Sequence, residues 1–234
     1  MSTTDRYRTI VAPPLVAGDR LSRAEFHRRY EASPEDLRAE LIDGEVFMAS
    51  PVRSDHAFTS RRISTILGLY QSYTPGVGGG DNLTLIVDDS TELQPDCVLL
   101  INPDHGGRTK LENGFIIGGP ELVVEISGSS KRIDLGKKYR EYESAGVLEY
   151  LVIAIDPDEV HRFVLGKNGF ESRRLEADSI LKSFAFPGLW IDCEGLFQDN
   201  LARMIEILQT GIASPEHAAF VSRLAATRRD DSVD

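Results

Sequence analysis

A chain of 234 residues with 41% hydrophobic and 27% charged side chains holds enough apolar material for one sizeable core, so a single globular domain is the expectation. The formal net charge of -11 argues against a basic coat that neutralises a nucleic-acid backbone, although acids gathered around a divalent cation, or the local clusters Arg61-Arg62 and Lys131-Arg132, are compatible with a nucleic-acid enzyme. No apolar run approaches the ~20 residues of a membrane helix, and residues 1–20 lack a signal-peptide core; a cytoplasmic protein with no membrane association is expected, its Cys97 and Cys193 reduced and outside any Cys-x-x-Cys spacing.

Residues 1–20 read as an extended arm, because Pro13 and Pro14 interrupt a short apolar stretch without a period. The first helix is expected from Leu21 to Glu31, where Ser22 and Glu25 match the S-x-x-E capping box. AELIDGEVFMAS, residues 39–50, predicts two short strands joined by an Asp43-Gly44 turn. A longer helix follows from about Ser54 to Tyr73 with Ile63, Ile66, Leu67 and Tyr70 on its core face. TPGVGGGDN, residues 74–82, reads as a breaker and flexible turn, and without a Walker lysine it is not a phosphate loop. Candidate strands then fall at 83–88, 97–102 and 121–127, the last two apolar on both faces as central strands of a covered sheet are. Residues 103–114 between them read as an exposed connection.

A helix over 132–146, closed by Gly146, leads into the apolar strand 147–155; strand, helix and strand in that order predict a right-handed crossover and a parallel pair. A hairpin around Asn168-Gly169 extends the sheet, and 196–211 is a helix. The domain proper is therefore expected over 21–210, with 211–234 a helical tail whose end frays into disorder.

One carboxylate breaks this pattern. In GGPELVVEISGSS, residues 118–130, Glu125 lies among Leu122, Val123, Val124 and Ile126, where an unpaired charge would be expensive. Two readings stand: a core acid satisfied by backbone amides or an arginine, or a metal ligand. Strand alternation puts Val123, Glu125 and Ser127 on one face. Asp96, directly after Pro95, opens another central strand; it is either a turn residue or, if the two strands are neighbours, a second ligand for Mg2+ or Mn2+, which take oxygen donors and retained water. A site that attacks phosphate also needs a positive or proton-donating group. Lys138 and Lys131 are candidates, although Lys138 is also four residues from Asp134 and suits a surface ion pair. His56 either supports substrate or metal or is structural, and Tyr142, one turn beyond Lys138, packs or orients the site. The other histidines are too scattered for zinc.

ELIDGEVFMASP followed by His56, then LQPDCVLL, PELVVEISGSS, DLGKKYREYESAGVLEYLVI and FPGLWID, in that order across residues 38–197, resemble the Uma family of restriction-endonuclease-like proteins in the PD-(D/E)XK nuclease superfamily. The resemblance implies an α/β (α+β) fold, with a mixed central sheet flanked by helices, and Mg2+-dependent hydrolysis of phosphodiester bonds, DNA being the expected substrate. It makes Pro95-Asp96 the PD half-motif and Glu125 the following acid, both metal ligands. Ser127 stands where the superfamily places a lysine; Lys138 matches a lysine that the Uma-like pattern carries in the next helix, and it reaches the site only if that helix packs over the strand ends. Glu40 matches a further acidic position, an accessory acid and metal contact, though alone it would be a strand-edge acid. A homodimer is expected, since two sites about a two-fold axis suit two strands of a duplex. The alternative is a nuclease fold without catalysis that binds nucleic acid or serves assembly, suggested by the missing strand lysine and the acidic charge.

Overall fold

The computed structural model describes residues 12–228. Helix α1 (Arg23–Glu31) starts at Ser22, whose hydroxyl accepts from the Glu25 N–H, while the Glu25 carboxylate turns to Arg28 and Arg29 rather than back to the cap. Asp43 and Gly44, at φ 50° and 72°, close the hairpin of β1 (Ala39–Ile42) and β2 (Glu45–Met48). Helix α2 (Ser54–Ser72) buries Ile63, Ile66, Leu67 and Tyr70 as their spacing requires.

Two expectations about loops fail next. Val77–Asp81 is strand β3, not a flexible turn: it pairs antiparallel with β6 (Cys97–Ile101) at the edge of the main sheet. Its glycines permit the close fit, since a Cβ on Gly79 would lie 2.3 Å from the Val98 carbonyl oxygen. Of residues 83–88 only Leu85–Ile86 is strand (β4), followed by β5 (Glu92–Leu93). The connection 103–114 holds a 3-10 turn at Pro103–His105 and β7 (Lys110–Glu112), which folds back on β8 (Phe115–Ile117) through Asn113-Gly114 at φ 52° and 85°.

Strand β9 (Leu122–Ser127) is buried throughout. The helix after it, α3 (131–145), is α-helical over Lys131–Ile133, π-wound over Asp134–Lys138 and α-helical again over Tyr139–Ala145, ending at Gly146 with φ 79°. It returns to β10 (Glu149–Ile155), parallel to β9 as the strand-helix-strand order predicts. Strands β11 (Asp158–Gly166) and β12 (Gly169–Ser172) complete the main sheet, whose order is β12-β11-β10-β9-β6-β3. A second mixed sheet runs β2-β1-β5-β4-β8-β7, and β13 (Ile180–Lys182) pairs with β14 (Trp190–Asp192) as a ribbon. Helices α4 (Cys193–Phe197), α5 (Leu201–Ile212) and α6 (Pro215–Thr227) end the described chain.

The alternation along β9 divides its side chains between two of the three apolar cores of the described residues. Leu122, Val124 and Ile126 pack with Ile63, Ile66 and Tyr70 of α2 and with Met204 and Leu208 of α5. Val123 faces the other way, against Tyr142 of α3, Tyr150 and Val152 of β10, and Leu85 and Leu93 of the second sheet. Glu125 and Ser127 share Val123's face and so enter the layer beneath α3. Phe220 and Leu224 of α6 join the first core, which ties the described part of 211–234 to the sheet. Leu15 is buried with Phe26 and Leu41, so the arm is packed there; its residues 1–11, and the frayed end expected over 229–234, lie outside the described residues. Cys97 and Cys193 are free and buried, as expected, and no helix among the described residues is long and apolar enough to cross a membrane.

Candidate active site

Strands β6 and β9 are antiparallel neighbours with Cys97 opposite Val124, so the register brings Asp96 opposite Glu125 at the open end of the pair. The Asp96 Oδ2 accepts the Ile126 N–H at 2.7 Å, which fixes one carboxylate against the strand that carries the other. His56, in the first turn of α2, places Nε2 3.4 Å from the same oxygen. Glu125 is 4% exposed, and its Oε1 accepts from the Tyr142 hydroxyl at 2.6 Å and from Lys138 Nζ at 3.0 Å. Lys138 Nζ also lies 2.8 Å from Oε2 of Glu40 on β1 and 3.9 Å from Oδ1 of Asp134. The other Glu40 oxygen accepts the Gln94 N–H at 2.8 Å. Helix α3 therefore packs over the strand ends, the condition on which a helix-borne lysine could serve this site.

These groups line a cleft of about 470 Å³, whose wall also includes Arg38, Phe47, Met48, Val52 and the turn Gly128-Ser129-Ser130. Four carboxylates, Glu40, Asp96, Glu125 and Asp134, gather near Lys138 and His56 there, with Arg38, Arg53 and Asp55 also on the cleft wall. Burial drives the Glu125 carboxyl well above the usual carboxylate range despite the pull of Lys138. Burial alone would lower Lys138, yet Glu125, Glu40 and Asp134 together hold its ammonium well above the ordinary lysine value. The Asp96 carboxylate raises His56 against the opposing effect of burial. Burial and then the Glu125 charge raise Tyr142, which keeps its hydroxyl a donor.

The donor set suits a hard cation. Both hydrogen bonds to Glu125 land on Oε1, and both contacts to Asp96 land on Oδ2. Glu125 Oε2 and Asp96 Oδ1 thus accept no hydrogen bond among the described residues. No group of three or more His, Cys, Asp or Glu is poised around a metal position among the described residues, whereas Mg2+ is commonly held by one or two carboxylates with retained water. Glu40 is the member whose oxygens are already taken, by Lys138 and by the Gln94 amide.

Of the residues singled out in the sequence, Glu40, His56, Asp96, Glu125, Ser127, Lys138 and Tyr142 converge here. Lys131 does not; it pairs with Glu159 at 2.5 Å. The surface pairing of Lys138 with Asp134 is overturned, because both side chains are buried and Lys138 is closer to two other carboxylates. Asp134 itself was missed as a site residue: Ser127 Oγ donates to its carboxylate and the Tyr150 hydroxyl donates to its carbonyl at 3.1 Å. The i, i+4, i+8 series Asp134, Lys138, Tyr142 was the available signal.

A mixed sheet with a carboxylate on each of two adjacent strands and a lysine swung in from the following helix defines a protein of the restriction-endonuclease-like class. The chain belongs to the Uma2 family, described as "Putative restriction endonuclease", whose family model matches residues 23–194. A solved structure described as "a putative nuclease belonging to DUF820 from Anabaena variabilis ATCC 29413" shares the fold at 16% identity and a TM-score of 0.58, the match covering 73% of this chain and 96% of that one. No curated protein matches the chain.

Proposed function

We propose that this protein is a divalent-cation-dependent endonuclease that hydrolyses phosphodiester bonds in DNA, with Mg2+ as the working ion and Mn2+ able to replace it. The observation that carries this reading is the acidic end of the cleft: Glu40, Asp96, Glu125 and Asp134 gather around Lys138, and burial, with the neighbouring acids, raises Glu125 toward its protonated form. Asp96 and Glu125 would hold the ion through the oxygens that accept no hydrogen bond. When bound, such an ion lowers the pKa of its water and polarises a phosphoryl oxygen.

The remaining roles belong to the chain's own groups. Lys138 is the one ammonium deep in the cleft and is suited to stabilise charge on a phosphate oxygen. Glu40 and Tyr142 hold it and Glu125 in mutual register, so Glu40 acts through Lys138 more than as a ligand. His56 and the Ile126 amide fix the Asp96 carboxylate. The cytoplasmic setting and the homodimer belong to the same proposal; a two-fold pair of clefts would serve both strands of a duplex.

The test is cleavage of circular and linear DNA by chelator-treated protein with and without added Mg2+ or Mn2+. Asp96→Ala and Glu125→Ala should abolish cation-dependent cutting while keeping the parent's circular dichroism spectrum; cutting by both variants at the parent's rate would refute the assignment. One observation favours the second reading, a noncatalytic nucleic-acid-binding or assembly module: Lys138 already bridges Glu40 and Glu125. Retention of DNA by the parent with no turnover under any added cation would select that reading.

A further inference from the structure

Lys138 enters the cleft from a stretch of α3 that is not ordinary α-helix. Over Asp134–Lys138 the backbone is π-wound, and the Tyr139 N–H reaches back five residues to the Asp134 carbonyl. A widened turn of this kind is rare, is found mostly as a single turn inside an α-helix, and occurs frequently at functional sites. Here two groups outside the helix grip its first residue: the buried Ser127 hydroxyl donates to the Asp134 carboxylate, and the Tyr150 hydroxyl donates to the Asp134 carbonyl. Both anchors belong to the sheet, one on β9 and one on β10.

The charge of Asp134 does less for Lys138 than that of the other acids. It stands 3.9 Å from Nζ, against 2.8 Å for Glu40 and 3.0 Å for Glu125. Its close contact is Ser127, which sits two residues after Glu125, where the resemblance led one to look for a lysine. In this chain that strand position bears the anchor for a lysine that arrives from the helix instead.

We propose that Ser127 and Asp134 form a latch that fixes the π-wound turn, and that Asp134 is a positioning residue for Lys138. The purpose of the latch rests on the nuclease reading, but its geometry does not. If the latch acts by hydrogen bonding, asparagine should replace Asp134, since its amide oxygen still accepts from Ser127; alanine should not.

The experiment follows acylation of individual lysines by acetic anhydride, peptide by peptide in a mass spectrometer, on the full chain and on Asp134→Ala, Asp134→Asn and Ser127→Ala, with the exposed Lys110 as internal reference. Local opening of the turn should raise the Lys138 rate relative to Lys110 about tenfold or more in Asp134→Ala and Ser127→Ala, and leave Asp134→Asn within about threefold of the parent. On DNA, the two latch-breaking variants should lose about 10-fold or more in kcat with KM little changed, and Asp134→Asn should recover most of it. The proposal is overturned if Lys138 stays as protected in Asp134→Ala as in the parent, if Asp134→Asn opens it as far as alanine does, or if all lysines rise together. Should Asp134→Ala fail to fold, Ser127→Ala decides the same question. A parent that cuts nothing would refute the nuclease reading, and the acylation rates would still decide the latch.

Discussion

Removing one partner at a time from the buried charges around Lys138 separates their roles. Lys138→Met would leave Glu40 and Glu125 facing each other without a cation, and should destabilise the protein by about 3 kcal/mol in urea unfolding, the scale of a broken buried pair. Glu125→Gln removes surplus negative charge instead, and the cation-free protein should lose far less stability or gain some. Equal losses in the two variants would contradict the acidic crowding around Lys138 on which the nuclease reading stands. Tyr142→Phe deletes one buried hydrogen bond to a carboxylate and should cost about 1.5–3 kcal/mol. At this scale the sequence was informative where a polar residue interrupted an apolar run: Glu125 betrayed itself by its neighbours, and Asp96 by the strand it opens. Asp134 did not, because an acid four residues before a lysine on an amphipathic helix is the usual dress of a solvated face. Its alignment with Lys138 and Tyr142 at i+4 and i+8 was the one hint, and the sheet beneath the helix is what buries this face.

Among the elements, the long periodic ones were readable and the glycine-rich ones were not. Helix α2 and strands β6, β9 and β10 carry enough apolar residues to declare their burial. Strand β3 is hidden because three glycines give no side-chain pattern, its identity lying in what it allows β6 to approach. Gly79→Ala should accordingly destabilise the protein by about 1–3 kcal/mol; an unchanged unfolding midpoint would mean the edge strand gives way at no cost. Hairpin β7-β8 is a different kind of omission, since its Asn113-Gly114 turn is a strong local signal that the surrounding polar residues masked. Helix α6 supplies a pH dependence. His217 is buried, with Nε2 3.0 Å from the Thr74 hydroxyl, and Thr74 donates its own proton to the Tyr70 carbonyl. Burial holds its pKa below the ordinary value of 6.5. As pH falls through 6.5 the unfolded chain takes up a proton that the folded one still refuses, so stability declines until the folded His217 titrates and then levels off. His56, raised by Asp96, contributes with the opposite sign, so the readout is a difference: between about pH 7.5 and about pH 5 the parent should lose stability relative to His217→Gln. A constant difference across that range would contradict the account.

For the molecule as a whole, the main sheet is the platform and everything else either covers it or closes the cleft. Helix α6 covers it: Phe220 and Leu224 are 3% and 2% exposed, so ending the chain after Ala213 should cost several kcal/mol, about 1.5–3 for each large apolar side chain uncovered. Unchanged stability of that truncated chain would make the helix an appendage, as the sequence alone suggested. Helix α3 and the second sheet cover the opposite side, and they bring Lys138 and Glu40 to Asp96, just before β6, and to Glu125 of β9. With a net charge of -11 the general surface offers a polyanion no attraction, so under the proposed function a nucleic acid would have to be held by a bound cation and a few local basic groups. The proposed function places a divalent ion at Asp96 and Glu125, and the direct test is a titration of chelator-treated protein with Mn2+, following the electron paramagnetic resonance signal of the free ion, with and without a short DNA duplex. The parent should remove Mn2+ from solution at a stoichiometry of one or two per chain, and Asp96→Asn and Glu125→Gln should abolish that uptake. Identical free-ion signals for parent and variants, with DNA present as well as absent, would contradict it.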